Sequence, residues 1–264
     1  MSATVCNTLW IGPRLGPVER ACLRSVLRQG HPLLLWCYDI PEGVPAGVEV
    51  RDAAAIVPRE AIVMHKAGSH ALFANRFRYE LQRRGLGLWI DCDIYLVKPL
   101  DGLDGLDGLD GHVFGWAAPG HINNAVLRLP PDSPLLPPLL RLFEEREVPP
   151  WLALRPRIAA WLRLKRSGRT GLSRMPWGSA GPLALTWLAE RHGLAGCALP
   201  AAVFYPMHWD RARWILDPGI ALEQVAGPET RAVHLWNELI KGFKEAPAPP
   251  GCFLARLQAE GAAD

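Results

Sequence analysis

The chain has 264 residues, of which 49% are hydrophobic and 21% are charged. These fractions are those of an average globular protein, and they exclude wholesale disorder. A net charge of only +3 argues against general nucleic-acid binding. No apolar run approaches the ~20 residues that a membrane-spanning helix requires, and the N-terminal residues lack the basic head of a signal peptide. We therefore expect a cytoplasmic protein of one large domain.

The spacing of the cysteines is consistent with a cytoplasmic location. They are widely scattered and form no CxxC pair, so ligand spacing for a structural zinc ion is missing. In a chain without an export signal we expect them to be reduced and buried. The six positions are Cys6, Cys22, Cys37, Cys92, Cys197 and Cys252.

Strand and helix signals alternate over the first 130 residues. Strands are predicted at residues 8–11, 33–38, 48–50, 88–90, 113–117 and 125–129. Helices are predicted at residues 17–29 and 69–84, the second because Phe73, Phe77 and Leu81 recur every four residues. This alternation predicts an α/β fold with a mostly parallel central sheet and helices on both faces.

The second half of the chain reads as more helical. Helical patterns occupy residues 135–143, 151–164 and 183–192, and a last short helix follows a Pro/Gly-rich tail at 246–251. Residues 101–111 repeat Gly-Leu-Asp three times. The repeat lacks the bidentate Glu and the spacing of an EF-hand, so an expanded surface turn is favoured over a calcium loop.

The chemistry is suggested by two carboxylates, Asp91 and Asp93, which directly follow the apolar strand at 88–90. Extended residues two apart project to the same side, and at ~5 Å with an effective dielectric of ~20 their repulsion is about 3 kcal/mol. A divalent cation such as Mn²⁺ or Mg²⁺ relieves that repulsion and completes its shell with substrate phosphates. The plainer alternative is that one Asp caps the next turn and the other is solvated.

Residues 73–100 resemble the DxD core of glycosyltransferases with the GT-A fold. The nearest family is the one known for its sugar-binding DxD region, which includes bacterial polysaccharide and lipopolysaccharide transferases and the α-1,4-galactosyltransferases. In that family a helix bearing D-x-x-R-Y precedes a glycine pair, an aromatic strand, the DxD and a Lys-Pro. The corresponding residues here are Asn75, Arg78, Tyr79, Gly85, Gly87, Trp89, Asp91, Asp93, Lys98 and Pro99.

Weaker similarities extend this resemblance to roughly residues 7–240. They comprise Trp10-Ile11-Gly12, Asn123-Asn124-Ala125, Gly181-Pro182, Phe204-Tyr205-Pro206 and His234-Leu235-Trp236-Asn237. One departure is that Asn75 stands where many relatives have Asp, which replaces a charged contact to the donor sugar by a neutral one. The resemblance implies a single GT-A-like domain over residues 1–264, with a nucleotide-sugar-binding half at 1–130 and an acceptor-side half at 131–264.

The family further implies a nucleotide-sugar donor, with UDP-sugar favoured, a divalent cation and transfer with retention of configuration. Asp93 would hold the metal against both donor phosphates, and Asp91 would contact the ribose or sugar and orient the ion. His234 would be a late ligand to the metal or the diphosphate, unless it is an isolated core histidine. The acceptor would be a glycan or lipid-linked glycan in bacterial surface-polysaccharide or lipopolysaccharide assembly.

Further donor contacts follow from the same resemblance. Arg78 would bind sugar hydroxyls or phosphate through its planar fork, unless it belongs to a solvated helix face. Trp10 would stack on the nucleobase, unless it is core packing. The donor-binding set is completed by Ile11, Gly12, Asn75 and Tyr79.

Two rival functions remain. A haloacid-dehalogenase-type phosphatase also places DxD after an apolar strand, but Tyr95 occupies the position where Thr or Val normally follows, and no later Lys and acidic motif is convincing. A non-catalytic protein that binds nucleotide or glycan is the other, with Asn75 marking lost activity.

Residues 151–174 hold seven basic side chains and no acidic one. Apolar residues are interleaved with them, so this stretch is either an Arg-rich surface helix, with Pro156 breaking the pattern, or a peripheral contact with an anionic membrane or acceptor. The basic residues are Arg155, Arg157, Arg163, Lys165, Arg166, Arg169 and Arg174.

Overall fold

The computed structural model describes residues 4–103 and 111–263. Its strands are β1 (Cys6–Trp10), β2 (Leu33–Cys37), β3 (Glu49–Asp52), β4 (Leu88–Ile90), β5 (Ile94–Leu96), β6 (Val113–Ala118), β7 (His121–Arg128) and β8 (Ala232–His234). Six of them form one sheet in the order β3-β2-β1-β4-β7-β6, and β5 pairs with β8 in a second sheet. The expected α/β architecture is confirmed, with a sheet that is mixed rather than wholly parallel.

The direction of each strand follows from its connection. The strands β3, β2, β1 and β4 run parallel, since helical or long connections carry the chain back between them. By contrast β7 is antiparallel to both β4 and β6. Only residues 119 and 120 join β6 to β7, and a connection that short can form only a hairpin. Its second residue is Gly120, with φ of 69°.

The helices are α1 (Pro17–Arg28), α2 (Ala71–Arg83), α3 (Leu136–Arg141), α4 (Leu154–Ser167), α5 (Pro182–Arg191), α6 (Ala201–Phe204), α7 (Leu222–Val225), α8 (Asn237–Ile240) and α9 (Phe253–Ala262). The longer ones lie within a few residues of their predicted positions, whereas the single-turn helices have no clear sequence pattern. The expectation that Pro156 breaks the basic helix is wrong. Pro156 lies in the first turn of α4, where its missing N–H is not needed.

Helix α2 carries the predicted apolar stripe of Phe73, Phe77 and Leu81, all of which are buried against the sheet. Gly87 then reverses the chain into β4. Its φ is 107°, and a Cβ there would lie 2.6 Å from the carbonyl oxygen of Val5. A residue other than glycine is therefore excluded by both conformation and space.

A second hydrophobic cluster lies behind the main core and joins the two ends of the chain. It brings α1, α9, β8 and Tyr95 of β5 together, and α9 approaches α1 so closely that a Cβ on Gly261 would overlap the backbone of Pro17. The C-terminal segment therefore packs against the N-terminal half, while the division near residue 130 stays a prediction.

Two other sequence expectations can be compared with the coordinates. Within residues 4–103 and 111–263 the cysteines form no disulfide, and five of them are buried while Cys92 is half-buried. Among residues 4–103 and 111–263, the longest apolar helices fall short of what crossing a bilayer needs. Residues 104–110 of the Gly-Leu-Asp repeat lie outside the described residues.

Candidate metal and ligand site

A cavity of about 690 Å³ opens at the carboxyl ends of β1 and β4. These two strands are neighbours, yet the chain leaves β1 toward β2 on one side and reaches β4 on the other. Ligands of open α/β sheets bind at such a reversal of strand order, beyond the carboxyl ends. The volume lies within the usual range of roughly 300–1,000 Å³ for small-molecule sites.

Asp91 and Asp93 lie on the floor of this cavity, but not on extended backbone as the spacing argument assumed. The backbone N–H of Asp91 donates to the carbonyl of Ala125 at 2.8 Å, which continues the ladder with β7. The chain then turns, since the N–H of Ile94 donates to the carbonyl of Asp91 at 3.1 Å. A turn therefore brings the two carboxylates into one cavity, and the expectation of an extended segment is wrong.

Asp91 is held by the helix and strand that precede it. Its Oδ1 accepts from the indole Nε1 of Trp89 at 2.7 Å and from the guanidinium of Arg78 at 2.9 Å. Burial raises the pKa of Asp91, Arg78 lowers it in part, and the charge of Asp93 raises it again, so that the pKa stays above its ordinary value. The second oxygen of Asp91 has no hydrogen-bond partner among the described residues, and the side chain lines the cavity.

Asp93 is held by residues that come about 140 positions later. Its Oδ2 accepts the backbone N–H of Asn237 at 2.7 Å and lies 3.1 Å from Nε2 of His234. Burial alone would raise the pKa of Asp93, but His234, the N–H of Asn237 and Lys244 lower it to about 2. The pKa of Asp91 is thus raised while the pKa of the neighbouring Asp93 is lowered, and such a difference is typical of functional carboxylate pairs.

His234 completes the group because β8 pairs antiparallel with β5, with His234 directly opposite Ile94. Ligand atoms of Asp91, Asp93 and His234 all lie within 4.8 Å of one another. The Nδ1 atom of His234 is buried without a hydrogen-bond partner in the described part of the chain. Two carboxylates with free oxygens and one imidazole form a donor set that fits a divalent cation.

Arg78 does not belong to a solvated helix face, since it is 4% exposed. Its guanidinium pairs with Asp91, donates to the carbonyl of Asn124, and lies over the ring of Trp89 at 4.9 Å from the centroid. With these groups occupied, Arg78 fixes the orientation of Asp91. Asn75, one helical turn earlier, is buried against the cavity, and its Oδ1 accepts from the side chain of Asn124 at 2.8 Å.

The other predicted donor-binding residues divide into two groups. Trp10, the last residue of β1, and Ile11, which follows it, line the cavity. Gly12 lies outside the lining, but a Cβ there would come within 3.2 Å of the indole nitrogen of Trp10, so the glycine makes room for that ring. Tyr79 is wholly buried behind the site, and its hydroxyl donates to the carbonyl of Ala180 at 2.9 Å. The structure therefore assigns Tyr79 to the support of the cavity wall.

Sequence reasoning missed a charged pair beneath Asp93. Lys244 is buried and contacts Glu19 of α1, and its ammonium also donates to the side chain of Asn237 at 2.6 Å. The same Asn237 provides the N–H that Asp93 accepts. Neither Glu19 nor Lys244 lies in a motif. The one signal in the sequence that could have indicated their burial is a charged residue among hydrophobic neighbours.

The role of Trp236, which was named from the sequence only as part of a family-like segment, is the second feature that was missed. Trp236 adopts φ of 58°, which is rare for a residue with a side chain. Its indole donates to the carbonyl of Met207 at 2.9 Å and its ring lies 4.0 Å from that of His234. These contacts hold a strained backbone that aims the N–H of Asn237 at Asp93.

A scan of protein-family models finds no match to this chain, and no curated protein matches it.

Proposed function

We propose that this protein is a metal-dependent glycosyltransferase of the GT-A fold, which transfers a sugar from a nucleotide-sugar donor. The observation that carries the proposal is the convergence of Asp91, Asp93 and His234 at the carboxyl end of a central strand. The group lies on the floor of a cavity large enough for a nucleotide. The resemblance of residues 73–100 to the sugar-binding DxD family supports the same function.

The metal would be held by Asp91, Asp93 and His234. An imidazole ligand favours Mn²⁺ over Mg²⁺, because Mg²⁺ prefers oxygen ligands. When bound, the cation neutralises the charge that develops on the departing diphosphate. Arg78 acts through Asp91, whose carboxylate it orients, and it contributes positive charge beside the acidic group.

The donor would extend from this group toward β1. Trp10 and Ile11 line the side of the cavity where the base would lie, and a half-exposed indole suits stacking on a nucleobase. Asn75 would contact the sugar through its amide nitrogen, since Asn124 occupies its oxygen. The choice of UDP over other nucleotides rests on the family resemblance.

We favour a retaining transfer without a covalent intermediate. The acceptor hydroxyl oxygen bonds to the anomeric carbon on the face from which the diphosphate departs, and the hydroxyl proton leaves with the diphosphate or solvent. The remaining carboxylates of the described lining are Glu19 and Glu238, and each is paired with a lysine. Neither is therefore a free nucleophile. The acceptor class, a glycan or lipid-linked glycan of the bacterial surface, follows from the resemblance.

A screen of nucleotide sugars with Mn²⁺, read out as release of free nucleotide, tests this function. We expect release with at least one UDP-sugar and its loss on chelation of the metal. A UDP-dependent thermal shift without turnover of any donor would instead indicate a non-catalytic binding protein. Metal-dependent hydrolysis of p-nitrophenyl phosphate would indicate the phosphatase.

A further inference from the structure

The most exposed apolar surface on a helix of the described chain belongs to α4. Leu154, Ile158, Trp161 and Leu162 are 65%, 49%, 50% and 40% exposed. The expectation for an amphipathic helix is that such residues face the core. Here the arrangement is reversed, and the apolar side chains need another partner.

The exposed apolar residues of α4 share one side of the helix, and its buried residue lies on the other side. At 3.6 residues per turn, positions 154, 158, 161 and 162 fall within a sector of about 100°. The side chain of Ala160, the one fully buried residue of α4, projects from the opposite side, with the half-buried Pro156 and Leu164 beside it. The helix therefore contacts the protein through the side that carries Ala160 and presents its apolar row outward.

Cations flank this row on both sides. Arg155, Arg157 and Arg166 are exposed and form no ion pair within the described residues, and Lys165 lies in the row with its ammonium 5.7 Å from the Trp161 ring centroid. Two other cations of the segment are used by the fold. Arg163 donates to the carbonyl of Thr170 at 2.7 Å, and Arg169 pairs with Glu145.

We propose that α4 is a docking surface for an anionic lipid membrane, in which it lies along the interface. An apolar row bordered by unpaired cations matches such a surface in both shape and charge. Lys and Arg reach the headgroups with their charged ends while their stems lie along the acyl boundary. A second copy of this face is a poorer occupant, because its cations would meet those of the first.

The surface is independent of the proposed transferase activity. No residue of α4 lines the cavity that holds Asp91 and Asp93. Binding to vesicles is measured without donor or metal, so failure of this proposal and failure of the proposed function are distinguishable. Trp151, which precedes α4, does not belong to the apolar row, since its ring packs on Trp187 and its indole donates to the carbonyl of Ser179.

The test is flotation of the full-length protein with vesicles of equimolar phosphatidylcholine and phosphatidylglycerol, and with vesicles of phosphatidylcholine alone. We expect the wild type to float with the anionic vesicles and to remain in solution with the neutral ones. Ile158→Ser with Trp161→Ser, and separately Arg155→Glu with Arg166→Glu, should each lower the bound fraction by about tenfold or more.

The matched control replaces exposed residues elsewhere. Ile40 is 75% exposed, and Arg211 is exposed without a side-chain partner in the described residues. Ile40→Ser with Arg211→Glu should bind like the wild type, and circular dichroism verifies that every variant is folded. Wild-type protein that floats with neither vesicle overturns the proposal. So does a wild-type dimer in sedimentation velocity that the Ile158→Ser/Trp161→Ser variant converts to monomer, since a second copy would then cover the row.

Discussion

The replacement Asp93→Asn tests the metal site most directly. The amide keeps the shape of the side chain and an oxygen for the N–H of Asn237, but it removes one of the two negative charges that face the cavity. The ligand atoms of the group lie within 4.8 Å of one another. A cation bound among these atoms would lie closer than that to the Asp93 carboxylate, and even at 4.8 Å with an effective dielectric of ~20 a unit charge pair is worth about 3.5 kcal/mol. We therefore expect Mn²⁺ affinity to fall by at least about 100-fold.

A thermal-shift titration measures this change. For the wild type, Mn²⁺ at about 100 times its Kd contributes about 2.7 kcal/mol of stability. With an unfolding entropy of about 2.1 cal/mol/K per residue, a chain of this length gains about 5 °C in Tm. The Asp93→Asn protein should show less than about 1 °C at the same Mn²⁺ concentration. The Tm of each protein with Mn²⁺ is compared with the Tm of the same protein without metal. A general loss of stability in the variant therefore does not change the measured shift.

Asp132→Asn is the matched control, because Asp132 is exposed and has no side-chain contact within the described residues. It removes the same charge from a residue outside the lining of the cavity and should leave the Mn²⁺ shift unchanged. Equal shifts in the wild type and Asp93→Asn would refute the assignment of Asp93 as a ligand. A reduced shift in Asp132→Asn would mean that net charge, and not the three-residue group, governs metal binding.

Three further predictions concern the framework of the site and are checked by urea unfolding. Arg78→Met leaves the half-buried carboxylate of Asp91 without its cation and should destabilise the protein by about 2 kcal/mol, whereas the double variant with Asp91→Asn should recover much of that loss. Gly87→Ala should cost more than about 3 kcal/mol, because strain and overlap add, whereas Gly120→Ala, with positive φ but open space, should cost about 1 kcal/mol. Burial raises the pKa of Glu260, but hydrogen bonds from Arg256, Tyr95 and Arg28 lower it overall. Glu260→Gln should therefore cost about 1 kcal/mol at neutral pH.

The outcomes that would contradict these predictions are specific. Additive losses in the Arg78 and Asp91 variants would show that the two residues are not coupled. Equal costs at Gly87 and Gly120 would show that the close approach to Val5 is unimportant. For Glu260 the sign follows from its lowered pKa: its stabilisation is present above the ordinary value of 4.5 and disappears as the pH falls through the lowered one. A deficit of Glu260→Gln that persists at acid pH would contradict this origin.

Local pattern in the sequence was sufficient for the architecture. The apolar runs of β2 and β4 and the stripe of α2 are repeated over successive residues, so they report burial without knowledge of the neighbours. The DxD directly after an apolar strand likewise placed Asp91 and Asp93 at the edge of the sheet. The direction of β7 was not predicted, because the predicted strands at 113–117 and 125–129 leave seven residues between them, whereas the folded chain has a two-residue connection that permits only a hairpin.

Other features depended on which distant segments meet. The sequence left His234 open between ligand and core histidine, and the pairing of β8 with β5 brings it to the metal group. The same pairing brings Asn237 to Asp93. The turn that makes the two carboxylates converge, and the position of Arg78 against Asp91, are also properties of the packed site.

Helix α4 shows most clearly which structural features cannot be predicted from the sequence. The sequence by itself predicted a helix at residues 151–164 with apolar residues among cations, because both follow from spacing along one chain, and the structure places that helix at Leu154–Ser167. Only the tertiary structure decided that Ala160 faces inward and Trp161 outward. A helical period states which residues share a face, but the face that is buried depends on how the rest of the core is filled, and that is settled by contacts between residues far apart in the chain.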